Sequence, residues 1–109
     1  MECINLTEGI KFNDDHPIAQ AVHADKNGRI LQFALEPGQE LKEHSNSASP
    51  VYLIVLKGEG IFRGKDSSRA IAGPGSIIIY DVGEKHSVKA REDELVFAAI
   101  LHGSPRKED

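Results

Sequence analysis

The chain has 109 residues, 39% of them hydrophobic and 28% charged, with a formal net charge of -4, which is the size and make-up of one globular domain with a modest core. Lysine and arginine are scattered along it, so no basic stripe can follow a phosphate backbone and nucleic acid is not an expected partner. Cys3 is the one cysteine, which excludes an intramolecular disulfide, and the opening MECINLTEG lacks the features of a secretory signal, so a cytoplasmic protein is expected and the sequon Asn5-Leu6-Thr7 reads as accidental.

Residues 1–17 read as an edge strand or arm. Short extended pieces, Cys3-Ile4 and Ile10 to Phe12, are broken by Thr7-Glu8-Gly9, and a turn-rich loop from Asn13 to Pro17 follows. Ile18 to Ala24 reads as a strand. Asp25 to Gly28 ends in an Asn-Gly pair suited to the positive φ angles of a tight hairpin. The returning strand, Arg29 to Glu36, carries Leu31, Phe33 and Leu35 on one face. A turn at Pro37-Gly38 leads to a short strand ending at His44, then a polar loop Ser45 to Pro50 and an apolar run Val51 to Leu56 closing on Lys57 to Gly60. Phe62-Arg63 and Ala70-Ile71 flank a polar turn as a hairpin. Gly73-Pro74-Gly75 introduces Ile77 to Tyr80, and a second turn from Asp81 to Lys85 delivers His86. His86 to Ala90 and Leu95 to Leu101, joined by a charged turn, are expected to pair. The run Leu95 to Leu101 is far too short to cross a bilayer as a helix, and no membrane association is expected.

Turn signals about every 8 to 12 residues, with no sustained helical periodicity, predict an antiparallel sandwich or barrel. The expected organisation is a single all-β domain with a core over about residues 18–102, an N-terminal arm 1–17 and a polar tail 103–109, of which Ser104 to Asp109 is expected to be disordered. Val51 to Leu56, Ile77 to Ile79 and Leu95 to Leu101 are apolar at nearly every position, where a strand with one wet face would alternate. A second subunit covering the other face is the simplest source of such burial in a small chain, so a homodimer is expected, by face packing or by exchange of the arm. The alternative is a double-layered barrel that buries these runs unaided.

Two spacings carry a family resemblance. Gly38, five residues and His44, closed by Gly58, and then Gly75, five residues, Asp81, Val82, Gly83, two residues and His86, resemble the two motifs of the cupin superfamily, in its small single-domain RmlC-like members. The resemblance covers Leu31 to Leu101 and implies a jelly-roll β-barrel. Complete members hold one divalent metal with three histidines and a glutamate. Here Asn46 stands at the second histidine, Val51 (or Pro50 with a one-residue shift) at the glutamate, and Asp81 at the proline of the second motif. The surviving metal candidates are His44 and His86. Catalytic metal sites use about three protein ligands beside an open position, so zinc, nickel, iron or manganese is expected to be weakly bound or absent. Asn46 offers a carbonyl oxygen, Glu43 points away if His44 points inward, and Glu40 shares the face of His44 by simple alternation.

By the same resemblance, function narrows to binding or converting a small molecule inside the barrel. The expected ligand-binding residues are His44, His86, Asn46, Phe33, Leu35, Leu53, Val55 and Phe97. A small-molecule-binding protein with a degenerate metal site is the first reading. A small metal-dependent enzyme of dioxygenase or isomerase type is the alternative, and a purely structural dimerisation unit is the third. Beside these stands the bland reading of His44 and His86 as polar residues hydrogen-bonded to water at a barrel mouth. His16, His23 and His102 read as surface or strand-edge residues, with His23 the best outside candidate. Gly58-Glu59-Gly60 has no following helix and reads as a hairpin turn, not a phosphate loop.

Overall fold

Strand formation follows from alternating side chains bounded by glycine, proline and asparagine turns. In the computed structural model, which describes residues 1–103, this produces β1 (Ile18–Ala24), β2 (Gly28–Leu35), β3 (Glu40–His44), β4 (Val51–Lys57), β5 (Gly60–Arg63), β6 (Arg69–Ala72), β7 (Ile77–Tyr80), β8 (His86–Ala90) and β9 (Leu95–His102). A short 3-10 turn, Lys65–Ser67, joins β5 to β6. The strands form a five-stranded sheet in the order β1-β2-β9-β4-β7 and a four-stranded sheet in the order β3-β8-β5-β6, with every pairing antiparallel. The fold is an all-β jelly roll. Ser104 to Asp109, the expected disordered tail, lie outside the described residues.

Inward-facing residues of both sheets meet in one core. Leu35, Val55, Phe62, Val88, Leu95 and Phe97 are fully buried there. Phe97 stacks on Phe33 with ring centroids 4.9 Å apart and meets Phe62 edge-on at 6.0 Å, both favourable aromatic geometries. These rings close one end of the barrel. Toward the other end the interior opens.

Three expectations are corrected. First, β8 and β9 do not pair: β8 lies between β3 and β5, and β9 between β2 and β4. The turn 91–94 carries the chain from one sheet to the other, as the jelly-roll winding requires. Second, the hairpin at Asp25 to Gly28 does not use positive φ at Asn27 or Gly28. Instead Asp25 Oδ1 accepts hydrogen bonds from the backbone N–H groups of Asn27 and Gly28, at 2.7 and 3.1 Å. Glycine is needed at position 28 for a different reason, because a Cβ there would stand 2.8 Å from the Leu101 carbonyl oxygen of the neighbouring strand. Third, the run on β9 is covered on both faces within one chain. Val96 and Ala98 are buried on the outer face, where the arm crosses: Gln32, beside Ala98 in the register, donates its side-chain amide to the Leu6 carbonyl. The arm is held again where Gln39 Nε2 donates to the Asn13 carbonyl at 2.7 Å, and it contains no strand.

Gly58 ends β4 with φ +75°, and a Cβ on it would lie 2.0 Å from the Glu94 carbonyl oxygen. Left-handed geometry and a backbone collision act together, so Gly58→Ala is expected to destabilise the fold by about 2 kcal/mol or more. Urea unfolding followed by circular dichroism measures it, and an unchanged midpoint would show that the turn before β9 yields freely.

Candidate functional site

The site begins with an irregularity in β3. Leu41 pairs with Val88 and His44 with His86, so three residues of β3 span what two residues of β8 span. One extra residue is accommodated as a β-bulge, which re-aims the side chains beyond it. Leu41 and His44 therefore both face the interior although they are three apart. The bulge overturns simple alternation at Glu40, which sits opposite Lys89 on the exposed outer face, and Glu43 lines a groove outside the barrel. Neither carboxylate joins His44.

His44 and His86 are brought together by this register. Their ring centroids lie 4.2 Å apart at an interplanar angle of 61°. His44 Nδ1 is 2.8 Å from the Lys42 carbonyl oxygen and His86 Nδ1 is 2.9 Å from the Glu84 carbonyl oxygen. A carbonyl only accepts, so in both rings Nδ1–H donates and, in the neutral imidazole, Nε2 carries the free lone pair. The two rings differ in burial: His44 is exposed, while His86 is 4% exposed. Tyr80 stacks on His86, centroid to centroid 4.2 Å at 15°. Burial holds the His86 pKa below its ordinary value, the charge of His44 adds to that, and the hydrogen bond with the Glu84 carbonyl partly opposes it. Burial, with the nearby Glu84 charge, pushes the Tyr80 phenol up to about 12, and its hydroxyl has no protein hydrogen-bond partner among the described residues.

Behind the two imidazoles lies a cavity of about 240 Å³. Phe33, Leu53 and Phe97 line it, with Leu31, Leu41, Val51, Val88, Ala99 and Leu101 completing its apolar wall. Leu35 and Val55 do not line it. They lie deeper, packed solid in the closed end, because alternation carries them to the level where Phe62, Leu95 and Phe97 fill the interior. Asn46 is at the rim, but its Oδ1 accepts from the N–H groups of Ala48 and Ser49 at 2.9 and 3.0 Å. That oxygen is committed to shaping the loop. Arg29, which the sequence reading passed over, also lines the cavity. The signal was present, since counting back by two from Leu35, Phe33 and Leu31 reaches Arg29.

Other histidines lie elsewhere. His23 is on the outside, its Nε2 3.0 Å from Asp25 Oδ2, and His16 and His102 are exposed. A wider depression of about 700 Å³ between the 3-10 turn and the β7–β8 turn lies outside the barrel. Within it Lys65 Nζ pairs with Asp81 Oδ2 at 2.7 Å, and the Glu84 carboxylate accepts from the backbone N–H groups of Lys65 and Asp81 at 3.0 and 2.8 Å.

Residues 31–101 match the Cupin domain family. The chain is a cupin. A solved RmlC-like cupin from Desulfovibrio desulfuricans is 31% identical, with 93% of this chain and 96% of that one covered and a TM-score of 0.82. A Thermus thermophilus protein, TT1209, superposes with a TM-score of 0.89 at 23% identity over 96% and 100% of the two chains. KdgF from Halomonas sp. does so with a TM-score of 0.77 at 12% identity over 87% and 84%. The last two likenesses establish the fold. No functionally curated protein matches the sequence.

Cupins often bind a metal, and the donor set here does not fit a complete site. His44 and His86 supply two Nε2 donors, Val51 supplies none, and the Asn46 oxygen is already taken. Among the described residues no group of three or more His, Cys, Asp or Glu side chains is gathered to hold an ion.

The depressed His86 pKa has a consequence for stability. The unfolded chain takes up a proton near 6.5 and the folded one only at lower pH, so the contribution is fully present above 6.5 and is lost as pH falls through the folded value. Thermal denaturation of this cupin at pH 7 and pH 5 is expected to show a loss of stability on acidification that is smaller in His86→Asn. An equal loss in both proteins would show that the imidazole protonates alike in the folded and unfolded chains.

Proposed function

We propose that this cupin binds a small, largely apolar molecule inside its barrel, using the Nε2 atoms of His44 and His86 as polar contacts at the mouth. One observation carries the reading. Two imidazoles with the same fixed tautomer stand side by side over an enclosed apolar cavity. The cavity volume of about 240 Å³ is below the ~300–1,000 Å³ of drug-sized pockets, which favours a small metabolite over a nucleotide or coenzyme. A cytoplasmic location and the absence of nucleic-acid or membrane partners belong to the same proposal; among the described residues no helix is long and apolar enough to cross a membrane.

On this reading a divalent metal is weakly held, and the alternative, a metal-dependent enzyme, needs it tightly held. Elemental analysis after dialysis separates the two. A small fraction of an equivalent of zinc, nickel, iron or manganese is expected. A near-stoichiometric ion that disappears in His44→Ala and His86→Ala would favour the enzyme. Asn46→His combined with Val51→Glu is expected to raise zinc affinity by orders of magnitude in calorimetric titration, because it completes a coordination sphere.

We further propose that the protein is a homodimer through the outer face of the five-stranded sheet. The arm leaves the far side of this sheet uncovered: Ile77 and Ile79 on the edge strand β7 are 61% and 62% exposed, and half-buried Tyr52 and Ile54 on β4 are their register partners. A two-fold dimer would set this face against its own copy. Size exclusion with light scattering is expected to give twice the chain mass, and Ile79→Lys is expected to shift it toward monomer, since a buried unpaired charge is costly. A wild-type monomer at micromolar concentration contradicts the dimer.

A further inference from the structure

Among the described residues one permanently charged side chain, Arg29, lines the cavity, together with apolar residues, Ser45, Asn46 and the two histidines, and no aspartate or glutamate does. Among the described residues the Arg29 side chain makes neither an ion pair nor a hydrogen bond, although Lys57, Lys65 and Arg91 each hold a carboxylate. A guanidinium is charged at every physiological pH and presents donors in a planar fork. Arg29 is half-buried at the cavity wall, with its guanidinium uncommitted to any carboxylate of the described residues.

Position strengthens the point. Arg29 pairs with Leu101 and Leu101 with Val51, so it stands at mouth level on the five-stranded sheet. His44 and His86 stand at mouth level on the four-stranded sheet. The mouth therefore has a cation on one wall and two lone-pair nitrogens on the other. Below it, Phe33 and Phe97 form a stacked aromatic floor.

We propose that the ligand of this cavity is a small organic acid, whose carboxylate is received by Arg29 and whose apolar or aromatic body lies against Phe33, Phe97 and Ala99. The proposal rests on the cavity-binding reading above and adds the chemical class. Carboxylate and guanidinium match in a two-pronged, charge-assisted geometry that a neutral amide cannot reproduce. A neutral imidazole on the opposite wall tolerates the acid and, through Nε2, accepts from any hydroxyl or protonated group it carries. Among the described residues no carboxylate stands on the wall, so none of them meets an acid there with like-charge repulsion, in a chain of net charge -4.

The test uses matched pairs of acid and neutral amide, benzoate with benzamide and 3-methylbutanoate with 3-methylbutanamide, titrated into the full chain and followed by NMR chemical shifts. At least one acid is expected to bind about ten-fold or more tightly than its amide, as charge-assisted pairing predicts. Arg29→Gln is expected to erase that preference while retaining the amide's affinity. Ala99→Leu, which fills the cavity, is expected to remove binding of both. Amides that bind as well as their acids, with Arg29→Gln without effect, overturn the proposal and leave the cavity reading intact. No binding by any of the four overturns both. Inorganic phosphate binding as tightly as the acids, and unaffected by Ala99→Leu, would show a surface anion contact and equally overturn the proposal.

Discussion

Strand β9 is paired along its length on both sides, to β2 and to β4, and that double pairing is the constraint to which the rest of the barrel conforms. Its ladder is satisfied on both edges, and in addition each residue from Leu95 to Leu101 is buried or half-buried. Its inward side chains set the interior: Leu95 and Phe97 fill the closed end, and Ala99, small and opposite the mouth, leaves room. Its neighbours must yield to it, as at position 28, where only glycine clears the Leu101 carbonyl. Its outer face must be roofed, and the N-terminal arm does so. Ala99 is thus one of the residues that leave the cavity open beside an otherwise close-packed strand.

Most strands were legible because their period and their turns agree. Ile18–Ala24 and His86–Ala90 lie where the pattern puts them, and the two cupin spacings were legible because they record backbone geometry. Gly38, Gly58, Gly75 and Gly83 all hold positive φ, so their intervals are fixed by where the chain must turn. What escaped was anything decided across space. The β8–β9 turn reads like a hairpin, since a polar connection between two strands looks the same whether they pair or part to opposite sheets. The fate of the Asn46 oxygen depends on a loop closing back on it, which residue type does not announce.

The β3 bulge shows why site composition was harder to read than site position. Alternation is a reliable counter only while the ladder is unbroken. One extra residue between Leu41 and His44 inverts the count, excluding Glu40 and admitting Leu41. Arg29 illustrates the opposite case: β2 is regular opposite β9, the count is valid there, and it carries the face of Leu31, Phe33 and Leu35 on to a charged residue that hydrophobicity alone does not mark as inward. His86 adds a feature that spacing cannot convey. Tyr80 stacks on the ring and His44 meets it at a steep angle, so its orientation is supported by aromatic contacts as well as by its bond to Glu84.

The division of labour between the two sheets bears on how such a protein changes over generations. Ala99, which limits what fits, belongs to the five-stranded sheet, while the imidazoles belong to the four-stranded sheet and are held at Nδ1 by their own strand and turn carbonyls, with Tyr80 of the five-stranded sheet stacked on His86. A substitution at 99 acts on the size of the chamber, and Ala99 takes part in neither of those hydrogen bonds. Selectivity for shape can therefore drift under selection while the polar rim is inherited unaltered, which makes this barrel a ready starting point for new ligand preferences.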